Sequence, residues 1–591
     1  SPLGIVTQKH SFLDDLDLQT VRWTQVDREY STTTGKRRLH REHFNQATIA
    51  VQNPDGATLE LEVRVFDDAA AFRYRLLGTG IARITEEVTG FRLVEGVPGW
   101  IQSMPTIFEI TPPGYEFPYE RVSAGDPGPS HGFVFPALFR TSQDEDSAYV
   151  LLTEAGLSPP YAATRLSESA EDGLYRIRFP SPEEGVPSAD TQPVGPLPFE
   201  TPWRVVIAGG LSDIVQSDAV LHLASPTTTS DSDWIHPGRT AWSWWSQDTG
   251  DPELQREYID FASEMGWEYI LVDAKWDQWP DAEQAVVSLC EYGKQRNVGV
   301  FLWYNSSGPQ KHSLKETPID RMYDAETRRE EMDRLSTWGV KGIKVDFFNS
   351  DKPARIRQYL DILEDAWKAK LMVNFHGCTV PKGWRRTWPN LMTMEAVGGA
   401  EFFKFPITRG PSATDHIRTV FTRNVVGPMD YTPVVFEKAL EKQGQTYAHQ
   451  LALSVLFESG LQHFADNADA DPGTGYRAIF EANPAVRKFL TEVPVVWDDV
   501  VYLDGHPDTH VVLARRNGDD WYIAGIAAEE GSPIQLHLDL ELVSPGPYSA
   551  TLISSSNTPD KFSIETLELE TNTLDLTLSP NDGFVVVLQK P

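Results

Sequence analysis

Between residues 239 and 466 the chain alternates short apolar runs with stretches of helical spacing, and few architectures accept that order. The runs are RTAWSWW (239–245), YILVDA (269–274), VGVFLWY (298–304), GIKVDFF (342–348), LMVNFH (371–376), LMTMEAV (391–397), VVGPMDYT (425–432) and LQHFAD (461–466). Near-continuous apolar character marks strands buried on both faces, as in a parallel sheet covered by helices. Eight such runs over this span match the count and size of a (β/α)8 barrel.

The intervening stretches support helices. Asp251-Pro252 offers an N-cap and a first-turn proline, after which Leu254, Tyr258, Phe261, Ala262 and Met265 fall on one stripe. Ile356, Tyr359, Leu360, Leu363 and Trp367 make a second stripe of the same kind.

Both flanks read differently. Residues 1–228 carry short alternating strands such as LEVRVF (61–66), AFRYRL (71–76), YVLLTEA (149–155) and WRVVIAG (203–209), separated by Gly, Pro, Asp and Ser clusters. This is a β-sandwich pattern, joined by the polar segment SPTTTSDSDW (225–234) to a barrel over 229–492. Strands return over 493–591, the clearest being VVLARRNGDDWYIAGI, where Asn517-Gly518 predicts a type I′ hairpin turn. The expected fold is thus multidomain, α/β plus all-β, with a small C-terminal antiparallel β domain. At 591 residues the chain is too long for a single core.

Composition narrows the partners. With 85 acidic against 52 basic side chains the formal charge is −33, which repels nucleic acid and anionic lipid. No run approaches the roughly 18 uninterrupted apolar residues of a membrane span. Cys290 and Cys378 are too few for a disulfide framework or a cysteine zinc site, and Cys378 reads as packing. A chain that starts at Ser1 reads as processed or trimmed, and the expected location is periplasmic or secreted, with the cytoplasm as the alternative. No motif specifies an oligomeric state.

A barrel of this kind gathers its chemistry at the C-terminal ends of the strands. The runs end in polar or aromatic residues there: Trp245, Asp273, Lys275, Tyr304, Asn305, Lys344, Asp346, Asn374, His376, Glu395, Asp430, His463 and Asp466. Lys344 and Asp346 are two residues apart on a strand, so they share a face and can both project into the barrel mouth. The pair reads in two ways: an ion pair bridging strand to helix, or a carboxylate kept ionised by an ammonium, as a nucleophile must be. Glu395 and Glu401 supply a second acid, and the Gly398-Gly399 bend is expected to turn Glu401 back toward the mouth. Two carboxylates flanking a sugar, roughly 5 to 5.5 Å apart, make a retaining glycosidase. Trp242, Trp244, Trp245, Trp276 and Trp303 suit the same substrate class, because flat rings stack on sugar faces, although some of them also seal the barrel rim.

At this point several segments together resemble glycoside hydrolase family 97: SPLG, FDDAAAFRYRL, LLTEAGL, GIKVDFF, MVNFHGCTVPKGWRRTWPNLMTMEAVGGAE and NVVGPMDYTP. The resemblance spans nearly the whole chain and implies an N-terminal β-super-sandwich, a catalytic (β/α)8 TIM barrel and a small C-terminal β domain. It implies an exo-acting α-glycosidase that depends on Ca2+. Carried over, the retaining nucleophile falls on Asp346 and the acid/base on Glu401. The inverting branch carries a glutamate directly after the fifth-strand histidine, whereas here Gly377 follows His376 and the third strand ends Tyr304-Asn305-Ser306 without a carboxylate. Both features favour retention.

The calcium ligands of the family map to Glu154, Glu395 and Glu401, with Asn374, a backbone carbonyl or water completing the shell. Trp245, Asp273, Trp303, Lys344 and His376 are expected to bind the sugar. The reading that results is a retaining exo-α-glycosidase acting on terminal α-galactosides, a small-molecule carbohydrate substrate. An α-glucosidase on the same two residues is the nearest alternative, and a carbohydrate-binding relative that has lost catalysis is a more distant one.

Overall fold

The computed structural model describes residues 2–104, 115–144, 146–168, 170–185, 189–228, 231–308, 316–468, 475–543, 548–569 and 573–590. Seven parallel strands form the central sheet: β1 (Gly238–Trp242), β2 (Tyr269–Val272), β3 (Gly299–Asn305), β4 (Gly342–Asp346), β5 (Met372–Phe375), β6 (Leu391–Met394) and β7 (Leu461–Phe464). Their spatial order is β6-β5-β4-β3-β2-β1-β7, a nearly closed barrel.

The eighth strand expected over 425–432 is absent. Gly427 has φ +151° and Pro428 has no N–H to donate, so no ladder can run through them. The segment still occupies the gap between β6 and β7 through isolated bonds, Asp430 N to Met394 O (3.0 Å) and Met429 N to Glu458 O (2.8 Å).

Helices cover the sheet as their stripes require. In α1 (Pro252–Met265) the Asp251 carboxylate accepts from the N–H groups of Glu253 (3.1 Å) and Leu254 (3.0 Å), a cap contributing about 1 kcal/mol. Its Tyr258, Phe261, Ala262 and Met265 are buried, and Gly266, at φ +64°, ends it. Helices α2 (Ala282–Lys294), α3 (Ala325–Trp338) and α4 (Pro353–Lys368) follow β2, β3 and β4. Tyr359 of α4 stacks on Phe348, with ring centroids 3.9 Å apart, and so pins the loop that leaves β4. Burying a side chain of this size contributes about 1.5–3 kcal/mol.

Among the described residues of 5–209, thirteen antiparallel strands form one sheet and four another. The joint expected at 225–234 includes residues 229 and 230, which lie outside the described residues. C-terminal to the barrel, six antiparallel strands between Asp499 and Gln589 form a sheet beside a two-stranded ribbon. The hairpin there turns on Gly518 and Asp519, since Asn517 pairs with Asp520. Only Gly518 takes positive φ, at +62°, so the turn is not type I′ but has the single left-handed glycine of type II′. Among the described residues no helix is long and apolar enough to cross a membrane.

Candidate active site

A cavity of about 980 Å³ opens at the C-terminal ends of the barrel strands. Asp273, Trp303, Lys344, Asp346, Glu395 and Glu401 all line it. Strand period brings the first set together: Trp303 of β3 lies beside Lys344 of β4 in register, and Lys344 beside Asn374 of β5. The backbone then turns sharply just past the functional side chains. Phe347 (φ +66°) follows Asp346, Gly377 (φ +49°) follows His376, and Ala396 (φ +45°) follows Glu395.

Asp346 is held by donors on both oxygens. Oδ1 accepts from Phe347 N (2.7 Å) and Oδ2 from the Trp303 indole (3.1 Å). Lys344 is not its ion-pair partner. The ammonium lies 3.4 Å from Asp273 Oδ2 and 3.7 Å from Glu401 Oε1, over the Trp242 ring at 4.3 Å, so it makes no direct ion pair with Asp346 but still favours that carboxylate's ionised form through space. Burial pushes the Asp346 carboxyl up to about 6, with His376 and Lys344 pulling it partly back. Burial likewise lifts Glu401 to about 7 against Lys344. Burial alone would lower the Lys344 ammonium, but Asp273, Glu401 and Asp346 outweigh it and raise it.

Behind β5 and β6 runs a buried chain of charges. His376 Nε2 is 2.7 Å from Asp430 Oδ2 and Nδ1 is 3.3 Å from Glu395 Oε1, while His463 Nδ1 meets Asp430 Oδ1 at 2.8 Å. Burial disfavours the imidazolium of His376, yet Glu395 and Asp430 raise its pKa well above the usual value. Both ring nitrogens of His376 are committed, to Asp430 and Glu395, and the residue stands behind the cavity wall instead of in it. It orients Glu395, whose Oε2 accepts from Gly377 N at 2.7 Å.

Two more expectations are corrected. Glu154 stands opposite Arg204 in register and is buried in the sandwich, its oxygens taken by Arg204, Lys382 (3.0 Å) and Thr164 (2.6 Å). It does not reach the cavity. Trp245 also turns away, donating to Ala400 O at 2.9 Å, and Trp244 lines the cavity instead, stacked on Trp242 at 5.3 Å. The bend at Gly398-Gly399 needs no left-handed glycine, since neither residue has positive φ. These glycines serve close approach: a Cβ at 398 would lie 3.0 Å from Glu116 O, and one at 399 would lie 3.1 Å from Tyr431 O.

Glu116 is the residue that sequence reasoning missed. It enters the cavity from the all-β region, and burial followed by Glu395, Glu401 and Asp346 raises its carboxyl well above the usual range. Its only local signal was an acid flanked by Tyr115 and Phe117 within a Pro- and Gly-rich loop, apolar neighbours unusual for a solvated turn.

Seven carboxylates line this one cavity, among them Glu116, Asp346, Glu395 and Glu401, and the donors they offer are hard oxygens. Single ligand atoms of Asp346, His376 and Glu395 lie within 4.8 Å of one another. The oxygens of Asp346 and Glu395 in that cluster, together with those of Glu401 and Glu116 on the same cavity wall, are donors that suit a divalent cation such as Ca2+.

Comparison with known proteins agrees with this architecture. Three family models match: Glycosyl-hydrolase 97 N-terminal over residues 1–226, Glycoside hydrolase 97 over 234–397, and Glycosyl-hydrolase 97 C-terminal, oligomerisation, over 496–589. The chain is 32% identical over 574 residues to a probable retaining alpha-galactosidase of Streptomyces bingchenggensis, covering 93% of this chain and 81% of that one. It is 29% identical over 425 residues to the retaining alpha-galactosidase of Bacteroides thetaiotaomicron, covering 66% and 60%. Among solved structures, a beta-arabinopyranosidase superposes with a TM-score of 0.90 at 34% identity, covering 99% of this chain and 94% of that one.

Proposed function

The chain belongs to glycoside hydrolase family 97, and on that premise we propose that it is a retaining exo-glycosidase acting on terminal α-D-galactopyranosides. The observation that carries the reading is the sharing of one cavity by Asp346 and Glu401, with carboxyls raised to about 6 and about 7. Burial raises both, Glu401's further, so Glu401 holds its proton more tightly than Asp346, the division of labour a double displacement needs.

In the first step an Asp346 oxygen bonds to the anomeric carbon as the glycosidic bond breaks, and the Glu401 proton passes to the departing oxygen. In the second, Glu401 takes a proton from water, whose oxygen attacks the anomeric carbon and releases Asp346. Trp303 and the Phe347 amide hold Asp346 in place for attack. Asp273 and Lys344 offer polar atoms to sugar hydroxyls, while Trp244 and Trp303 supply flat faces. Glu116, Glu395 and Glu401 would hold Ca2+, which when bound neutralises the carboxylate cluster and helps to orient the sugar.

A second substrate is favoured by the likeness to a beta-arabinopyranosidase. A β-L-arabinopyranoside has the ring configuration of an α-D-galactoside without the hydroxymethyl group at C5, so the same polar groups can read both. Initial rates on nitrophenyl α-D-galactoside, β-L-arabinopyranoside and α-D-glucoside rank the three, and galactoside first is expected. An NMR time course of the sugar released from the galactoside tests the mechanism. The α-anomer appears first under retention, and the β-anomer first overturns the reading.

A further inference from the structure

Glu116 reaches the barrel mouth on backbone that is not relaxed. Tyr115, just before it, has φ +64°, a conformation that a bulky residue adopts only under constraint. The constraint is visible on both sides of the turn. The Tyr115 ring is buried, and its hydroxyl donates 2.6 Å to Asp351 Oδ2. From the sandwich, Gln102 Nε2 donates to Tyr115 O at 2.8 Å and to Phe117 O as well, gripping the peptides that flank Glu116.

Asp351 is itself over-determined. It is buried on the loop that leaves β4, five residues beyond Asp346, and it also accepts from Arg165 Nε (3.1 Å) and Nη2 (2.8 Å). Its N–H donates to Glu184 Oε2 at 3.1 Å, and Arg165 pairs with Glu184 at 2.7 Å. The loop that begins at the nucleophile is therefore tied to the sandwich next to Glu116. Neither Tyr115 nor Asp351 lines the cavity.

We propose that Tyr115 and Asp351 form a positioning latch: their hydroxyl-to-carboxylate bond holds the strained turn that aims Glu116 into the mouth, so the nucleophile loop also sets the sandwich's contribution to the cation site. This rests on the reading of Glu116 as a calcium ligand. Binding a cation at that site and fastening the sandwich to the barrel are then one coupled event.

The test is calcium titration calorimetry on the full chain, stripped by chelator and without substrate, for wild type, Y115F, E116Q and the double variant. Y115F is expected to weaken calcium binding by roughly 10- to 100-fold, as loss of a ligand-orienting partner does, with kcat near wild type at saturating calcium. E116Q weakens binding at least as much, and Y115F adds nothing to it. Binding by Y115F within twofold of wild type, while E116Q is weakened, overturns the latch and leaves the ligand reading standing. An unchanged affinity in E116Q overturns the ligand reading and the latch with it. Equal weakening by Y115F with and without E116Q also overturns the latch, since the effect would then lie elsewhere. If Y115F does not fold, Gln102→Leu loosens the same peptides from the other side without touching Asp351, and calcium affinity unaltered there counts against the proposal equally.

Discussion

The Lys344 ammonium stands 3.7 Å from the Glu401 carboxylate and reaches it across the cavity, although Lys344 lies only two residues from Asp346 in the chain. The strand places lysine and aspartate on one face, but their bonds diverge: Asp346 is satisfied by neutral N–H donors, and the lysine serves Asp273 and Glu401. Burial raises both carboxyls, Glu401's further than Asp346's, so the proton affinities of the two acids differ in the order the chemistry requires.

The first consequence is a narrow pH profile. Activity needs Asp346 ionised and Glu401 protonated, so kcat/KM is expected to fall on the acid side as Asp346 takes up a proton and on the alkaline side as Glu401 loses one, the two carboxyls lying at about 6 and about 7 before calcium binds. Lys344→Met removes the cation that pulls Glu401 down, and the alkaline limb moves to higher pH. A limb that stays fixed in that variant would assign it to another group.

The nucleophile itself can be checked by chemistry. Asp346→Ala is expected to lower kcat on the order of 10⁴-fold. Added azide, filling the space of the lost carboxylate, restores turnover of an aryl galactoside. Its product is the glycosyl azide of β configuration, read by NMR, and an α-azide would exclude Asp346 as nucleophile.

Glu401 also costs stability. Its carboxyl is raised from 4.5 unfolded to about 7 folded, so the folded state holds the proton more tightly. The associated stability is fully present below pH 4.5 and is lost as pH rises through about 7, about 3 kcal/mol in all. Glu401→Gln keeps a neutral side chain at every pH. Its apparent Tm in chelator is therefore expected to exceed wild type by a few degrees at pH 8 and to match it near pH 4.5, measured by scanning calorimetry. Saturating calcium, by neutralising the cluster, should remove the advantage at pH 8.

Much of this was legible because strands and helices write their periods into the chain. Seven strands and the stripes of α1 and α4 follow from the spacing of apolar residues. The missing eighth was not, because Gly427-Pro428 leaves an extended segment without the donors that make a ladder. The same divide runs through the site. Asp273, Lys344, Asp346 and Glu395 lie on strands or just past their ends, where period two still decides which way a side chain points. Trp244 rather than Trp245 faces the mouth because the chain has already left β1 and begun a helical turn at residue 244. Glu116 depends on contact between a loop of the sandwich and a distant barrel, which has no local period, while Glu154 obeyed its strand and found Arg204.

Gly377 provides the sharpest test of how the nucleophile is seated. With φ +49°, any side chain there is strained, and a Cβ would lie 2.8 Å from Phe347 N, 2.9 Å from its Cα and 3.0 Å from Asp346 Oδ1. Two of these atoms are backbone, so relief must come from moving the Phe347 peptide, the very N–H that holds Asp346 at 2.7 Å. Gly377→Ala is therefore expected to lower kcat by about 100-fold or more, since small misplacement of a reacting group is costly, while KM changes less because Asp273 follows β2 and Lys344 lies inside β4, ahead of the turn that must move. A crystal structure of the variant would show the Asp346 carboxylate displaced. Full activity in Gly377→Ala would mean that the Phe347 turn can yield without disturbing Asp346, and that the glycine is not what admits a nucleophile at this position.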